Sequence, residues 1–234
     1  MLISINSILD YIVCPFKLSY STATDSIDPT HKLYKLLIHQ CMLYLAKNER
    51  MHLTIANTIL NNCWSTLKTE LPGADSSFYL SVKHRLKQIE QNLFADISEL
   101  IATDYQTTIT LQQHVLDIKI KAVYLNTSRV LTFLFEYPSS GYHFVANSLN
   151  NNVLTFVART IAKQDFNTMS TPQVMVFKSA TGMTYKLETD KTLHQLKDVI
   201  NNLVQGISQK IYYPISNTNN CTNCEYKSNC EWKQ

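Results

Sequence analysis

Glycine is scarce in this chain of 234 residues: there are four, Gly73, Gly141, Gly182 and Gly206, and no two are close together. A phosphate cradle of the G-x-G-x-x-G or P-loop kind needs several glycines in one tight turn so that backbone amides can reach the phosphate, and nucleotide hydrolysis through such a loop is therefore excluded. No apolar run approaches the roughly 18 residues that a membrane span needs. The start, Met1-Leu-Ile-Ser-Ile-Asn, has neither a charged lead nor a long apolar core, so we expect no membrane association and a place in the cytoplasm, or in the equivalent compartment of an infected or host cell. A strong charge excess is missing as well. With a formal charge of +3 and a pI of about 8.4, a histone-like basic character is ruled out, while a local basic face is not.

What is present is an ordinary globular composition, 45% hydrophobic and 17% charged, enough for a sizeable core in one large domain or two small ones. Six cysteines occur, and a chain of this size with a normal core does not need disulfides. Cys41 and Cys63 fall inside helical apolar patterns and read as buried hydrophobes. Three others crowd the polar tail Cys221-Thr-Asn-Cys224-Glu-Tyr226-Lys-Ser-Asn-Cys230. A thiolate cage for zinc or an iron–sulfur cluster takes four sulfurs. Cys14, in Tyr11-Ile-Val-Cys14-Pro15-Phe16, is read as the fourth, which would staple the two ends of the chain together.

Along the chain, Ser4 or Asn6 caps a short helix that Pro15 ends. Leu33, Leu36, Leu37, Met42, Leu43 and Leu45 recur at helical spacing between Pro29 and about Glu49, with His39 among them. Two more helical stretches, about His52 to Thr69 and Ser76 to Ala102, are divided by Leu71-Pro72-Gly73. In the second, Lys83, Lys87 and Glu90 form a stripe that reads as a solvated face. The pattern then turns to period two: Thr107 to Leu125 and Arg129 to Glu136 read as strands joined at Asn126-Thr-Ser into an antiparallel pair. A short strand at His143 to Val145, a helix from Asn147 to Lys163, a hairpin about Thr181-Gly182 and an amphipathic helix from Leu193 to Lys210 complete the reading.

The order helix, Cys14-Pro15-Phe16, helix with His39, strand pair, helix, hairpin, helix and C-x2-C-x5-C resembles, from end to end, the iron–sulfur nucleases of the PD-(D/E)XK superfamily, including the RecB/AddB-like and CRISPR-adaptation exonucleases. The resemblance implies an α/β fold with a restriction-endonuclease-like core, a central mixed sheet flanked by helices. It further implies an N-terminal helical part over 1–103, the core over 104–210 and a cysteine segment over 211–234, all in one structural unit. It makes Cys14, Cys221, Cys224 and Cys230 ligands of a [4Fe–4S] cluster, with zinc as the alternative, and His39 the counterpart of a metal-ligating histidine.

Members of the family cut nucleic acid with an Asp on one strand and, on the next, an acid followed two residues later by Lys; the carboxylates hold divalent ions and the Lys serves the attacking water. Here Glu136 fills the acid position, Pro138 stands in place of the Lys, and Ala122 or Tyr124 in place of the Asp. Asp117 is the nearest acid and lies several residues early, and the family's Gln-x3-Tyr on the following helix is matched by Asn152 and Phe156. Two remaining ligands hold Mg²⁺ or Mn²⁺ poorly. The expectation is a nuclease-like iron–sulfur protein without catalysis, a DNA-binding or scaffolding subunit, on single strands or duplex, with protein partners in a larger assembly. Two alternatives stand beside it: an active exonuclease with displaced residues, Asp117 and Glu136 with Lys119 or Lys121, and a zinc-stapled subunit without nuclease ancestry.

Overall fold

The computed structural model describes residues 2–15, 29–48, 50–67, 76–137, 148–187, 196–212 and 230. Strand β1 (Leu2–Ser4) runs straight into helix α1 (Ile5–Val13), whose first turn is capped by Ser4: its Oγ accepts the Ser7 N–H at 3.0 Å. Helices α2 (Pro29–Leu45), α3 (Leu53–Leu67) and α4 (Ser76–Asn92) follow. A 3₁₀ turn at Phe94–Asp96 then leads into β2 (Ile97–Leu111). Next come β3 (His114–Asn126), β4 (Leu131–Tyr137), α5 (Leu149–Asp165), β5 (Gln173–Lys178), β6 (Met183–Leu187) and α6 (Leu196–Ser208).

The result is an α/β fold with a mixed central sheet flanked by helices. Strands follow the order β1-β3-β4-β5-β6, with β2 along the remaining edge of β3. Pairing is antiparallel for β2–β3, β3–β4 and β5–β6, and parallel for β1–β3 and β4–β5, the latter through the α5 crossover. Side chains alternate along the strands, so the sheet has a core on each face. Phe133, Phe135, Tyr137, Val174 and Val176 pack with α1, α5 and α6 on one face; Leu134, Met175 and Phe177 pack with α2, α3 and α4 on the other. Cys41 and Cys63 lie in the second core, where burial pushes both thiols up, that of Cys63 to about 11. No helix among the described residues is long and apolar enough to cross a membrane.

Two expected elements are corrected. The helix read from Ser76 to Ala102 ends at Asn92, and β2 occupies residues from Ile97 onward. Leu86, Ile89, Leu93 and Ile97 prolong the helical spacing across the junction, but pairing with β3, from Ile97 opposite Asn126, decides the conformation. The single strand read over Thr107 to Leu125 is two, turned at Gln112-Gln113 with Gln112 in the left-handed region at φ 50°. That turn carries neither the glycine nor the asparagine that signals a tight hairpin. The segments 71–73 and 143–145 lie outside the described residues.

Candidate functional site

On α2, His31, Lys35 and His39 are spaced by four and share one side of the helix. This basic stripe crosses the sheet where the second core gives way to polar residues. On β4, the alternation that buries Leu134 puts Glu136 on the same face, and His31 Nε2 stands 3.7 Å from its Oε1. The β5–β6 turn contributes Ser179, whose Oγ lies 3.2 Å from His31 Nε2. Gly182 makes that turn possible: it has φ +68°, and a Cβ there would fall within 2.8 Å of the Tyr34 ring and the Arg85 side chain. Burial pushes the Glu136 carboxyl up, but His31, the charge of Lys35, Ser179 and the charge of Lys121 outweigh it and hold the group below its ordinary value.

Lys121 reaches this face because β3 changes phase. Leu116, Ile118 and Ile120 belong to the first core and so does Val123, while Ala122 and Tyr124 belong to the second. The slip falls at Lys121. Opposite it, between the pairs Thr103–Ala122 and Tyr105–Ile120, Asp104 sits on β2 in the left-handed region at φ 47°. Aspartate tolerates that conformation better than most residues. Lys121 Nζ donates to Asp104 Oδ1 at 2.7 Å, and His39 Nδ1 lies 3.0 Å from Oδ2. The Lys121 side chain is 7% exposed and the Asp104 side chain 49%. Burial raises the Asp104 carboxyl, and the hydrogen bond and charge of Lys121, with those of His39, more than reverse this.

The structure therefore joins Glu136 and His39 into one site through residues that motif matching did not single out: Asp104, His31, Lys35 and Ser179. The H-x3-K-x3-H spacing was the available signal for the helical part. Asp117 is not brought in; it accepts a hydrogen bond from Gln106 at 2.8 Å. Lys119 is exposed. Ala122 and Tyr124, standing where the resemblance looks for an Asp, are fully buried, and burial pushes the Tyr124 phenol up. On α5 the buried polar residues are Asn150, Asn151 and Thr155, and the last two stand one position earlier than Asn152 and Phe156, which are half-buried. Pro138 lies outside the described residues.

Of the four proposed cluster ligands, Cys14 and Cys230 are described as free, half-buried thiols, and Cys221 and Cys224 lie outside the described residues. The staple itself is not shown. Tyr11 on α1 donates its hydroxyl to the Ile211 carbonyl beyond α6 at 2.8 Å. Gly206 lies beneath that ring, where a Cβ would meet the Tyr11 hydroxyl. Cys14 is the residue that ends α1, its N–H donating to the Asp10 carbonyl at 2.9 Å. Among the described residues no group of three His, Cys, Asp or Glu could hold a metal ion.

No family model matches the chain, and no curated protein matches it. Among solved structures, the crystal structure of SSO0001 is similar to it, with a TM-score of 0.41 and 12% identity over 100% of this chain and 87% of that one.

Proposed function

We propose that this chain is a nuclease-like iron–sulfur protein without catalytic activity that binds the phosphate backbone of DNA as a subunit of a DNA-processing assembly. The observation that carries the reading is the ammonium of Lys121 at 2.7 Å from Asp104. Metal-assisted phosphodiester cleavage needs carboxylates free to ligate divalent ions. Here each carboxylate of the site already has a lysine and a histidine of the protein beside it, Asp104 the Lys121 ammonium and the His39 ring, Glu136 the charge of Lys35 and the His31 ring. A face of that composition attracts phosphate and competes with a divalent cation. Cys14, Cys221, Cys224 and Cys230 are the residues that would hold a [4Fe–4S] cluster; four thiolates suit that cluster and equally suit zinc. The restriction-endonuclease-like assignment of the core rests on the order of elements and motifs.

A second reading, an exonuclease with displaced residues, is favoured by one feature: Asp104, Glu136 and Lys121 assemble two carboxylates and a lysine from three strands. One preparation separates the readings. Purified without air, the protein is assayed for iron, sulfide and zinc, then incubated with labelled single- and double-stranded DNA in Mg²⁺ and in Mn²⁺. The proposal predicts iron and sulfide, binding that weakens steeply with salt, and intact DNA. Cleavage that disappears in Asp104→Ala or Glu136→Ala would establish the exonuclease instead, and zinc without iron would establish the zinc staple.

A further inference from the structure

The Lys121–Asp104–His39 cluster is more than a cross-strand ion pair. An ordinary pair of that kind joins two exposed side chains on adjacent strands. Here the cation is buried, the carboxylate is half-exposed, and the third group comes from a different layer of the fold. Each carboxylate oxygen has its own partner: Oδ1 takes the Lys121 ammonium and Oδ2 faces His39 Nδ1. The two unesterified oxygens of a phosphodiester could take the same two positions. His39 is 37% exposed beside the half-exposed Asp104, so the site meets solvent at these two side chains, with the buried Lys121 held behind the carboxylate. The aspartate itself enters from a left-handed backbone position at φ 47°. Lys35, exposed on the next turn of the same helix, adds positive charge along the path toward Glu136.

We propose that Lys121 Nζ and His39 Nδ1 form a seat for one phosphate group, which Asp104 fills with its own carboxylate until a phosphate displaces it. The identity of the natural phosphate as part of a DNA backbone rests on the function proposed above; the seat does not. Asp104 then sets the affinity of the site by competition, and removing its charge should strengthen anion binding although it removes a native contact.

The test uses the full chain and, as probe, inorganic phosphate. In Asp104→Asn, phosphate should raise the melting temperature saturably and shift the His39 ring resonances, with an affinity about tenfold above that of the unaltered protein, equivalent to one charge-assisted contact. Asp104→Asn combined with Lys121→Met should lose the effect. Equal affinity in Asp104→Asn and the unaltered protein, or undiminished binding in the double variant, would overturn the seat. His39→Gln, at a partly exposed helix position, leaves the Lys121–Asp104 pair in place: in the unaltered background it should weaken phosphate binding, and unchanged binding would again overturn the proposal. Single-stranded DNA forms the second arm. Tighter DNA binding by Asp104→Asn supports both inferences, whereas phosphate binding without any change toward DNA keeps the seat and overturns its assignment to nucleic acid.

Discussion

Asp104 and Glu136 have carboxyls held below their ordinary values against the opposing effect of burial. A folded-state value below the unfolded one means that the native protein binds fewer protons, so the stabilisation is present above the ordinary carboxylate range, about pH 4, and is lost as pH falls through it. Urea unfolding midpoints should therefore drop as the solution is acidified below that range, and Glu136→Gln should flatten the dependence. A midpoint equally steep in the variant would count against the ion-paired description of Glu136. Of these residues the sequence pointed to His39 and Glu136 through motif position. Asp104 was hidden because the helical spacing running through Leu93 and Ile97 carried the helix reading almost to it. Lys121 was placed among strand residues, but its meeting with Asp104 depends on the phase slip between Ile120 and Val123, a tertiary event without a local signature.

At the scale of elements, the site depends on one turn. The β5–β6 connection closes with the N–H groups of Thr181 and Gly182 both donating to the Lys178 carbonyl, at 3.2 and 2.8 Å. Ser179 is carried by that turn to His31. Gly182→Ala would place a methyl against Tyr34 and Arg85 at a positive φ, so it should destabilise the fold by about 1–3 kcal/mol, measured by urea unfolding. A neutral substitution would show that the turn is not packed against α2 and α4 as described. This hairpin was legible from its glycine, as were α2, α5 and the Asn126-Thr-Ser turn, because each has strong periodicity or a turn residue with a mechanism. The Gln112-Gln113 turn was not, since its residues carry no such signal. Strand β1 was missed for a related reason: three residues, Leu2–Ser4, show no period, and their pairing with Val115, Leu116 and Asp117 is entirely non-local.

For the whole molecule, the contact of α1 with the exit of α6 joins segments from opposite halves of the chain. Tyr11 and Ile211 are 200 positions apart and share a hydrogen bond of 2.8 Å. If a cluster completes this join, Cys14→Ala and Cys230→Ala should lower iron content and melting temperature alike, because a metal-coupled fold loses the binding energy whichever ligand is removed. Full iron content in Cys14→Ala would place the fourth ligand elsewhere. The cysteine spacing was readable in the sequence; the packing of Tyr11 over Gly206 was not, since it depends on two helices meeting across one face of the sheet.

The carboxylates of the site are already engaged by the protein's own lysines and histidines. Titrating Mn²⁺ into the purified full chain and following it calorimetrically tests this directly. The account predicts no saturable binding in the unaltered protein at concentrations that fill an ordinary two-carboxylate site. Stoichiometric Mn²⁺ binding that is lost in Asp104→Ala or Glu136→Ala would contradict it.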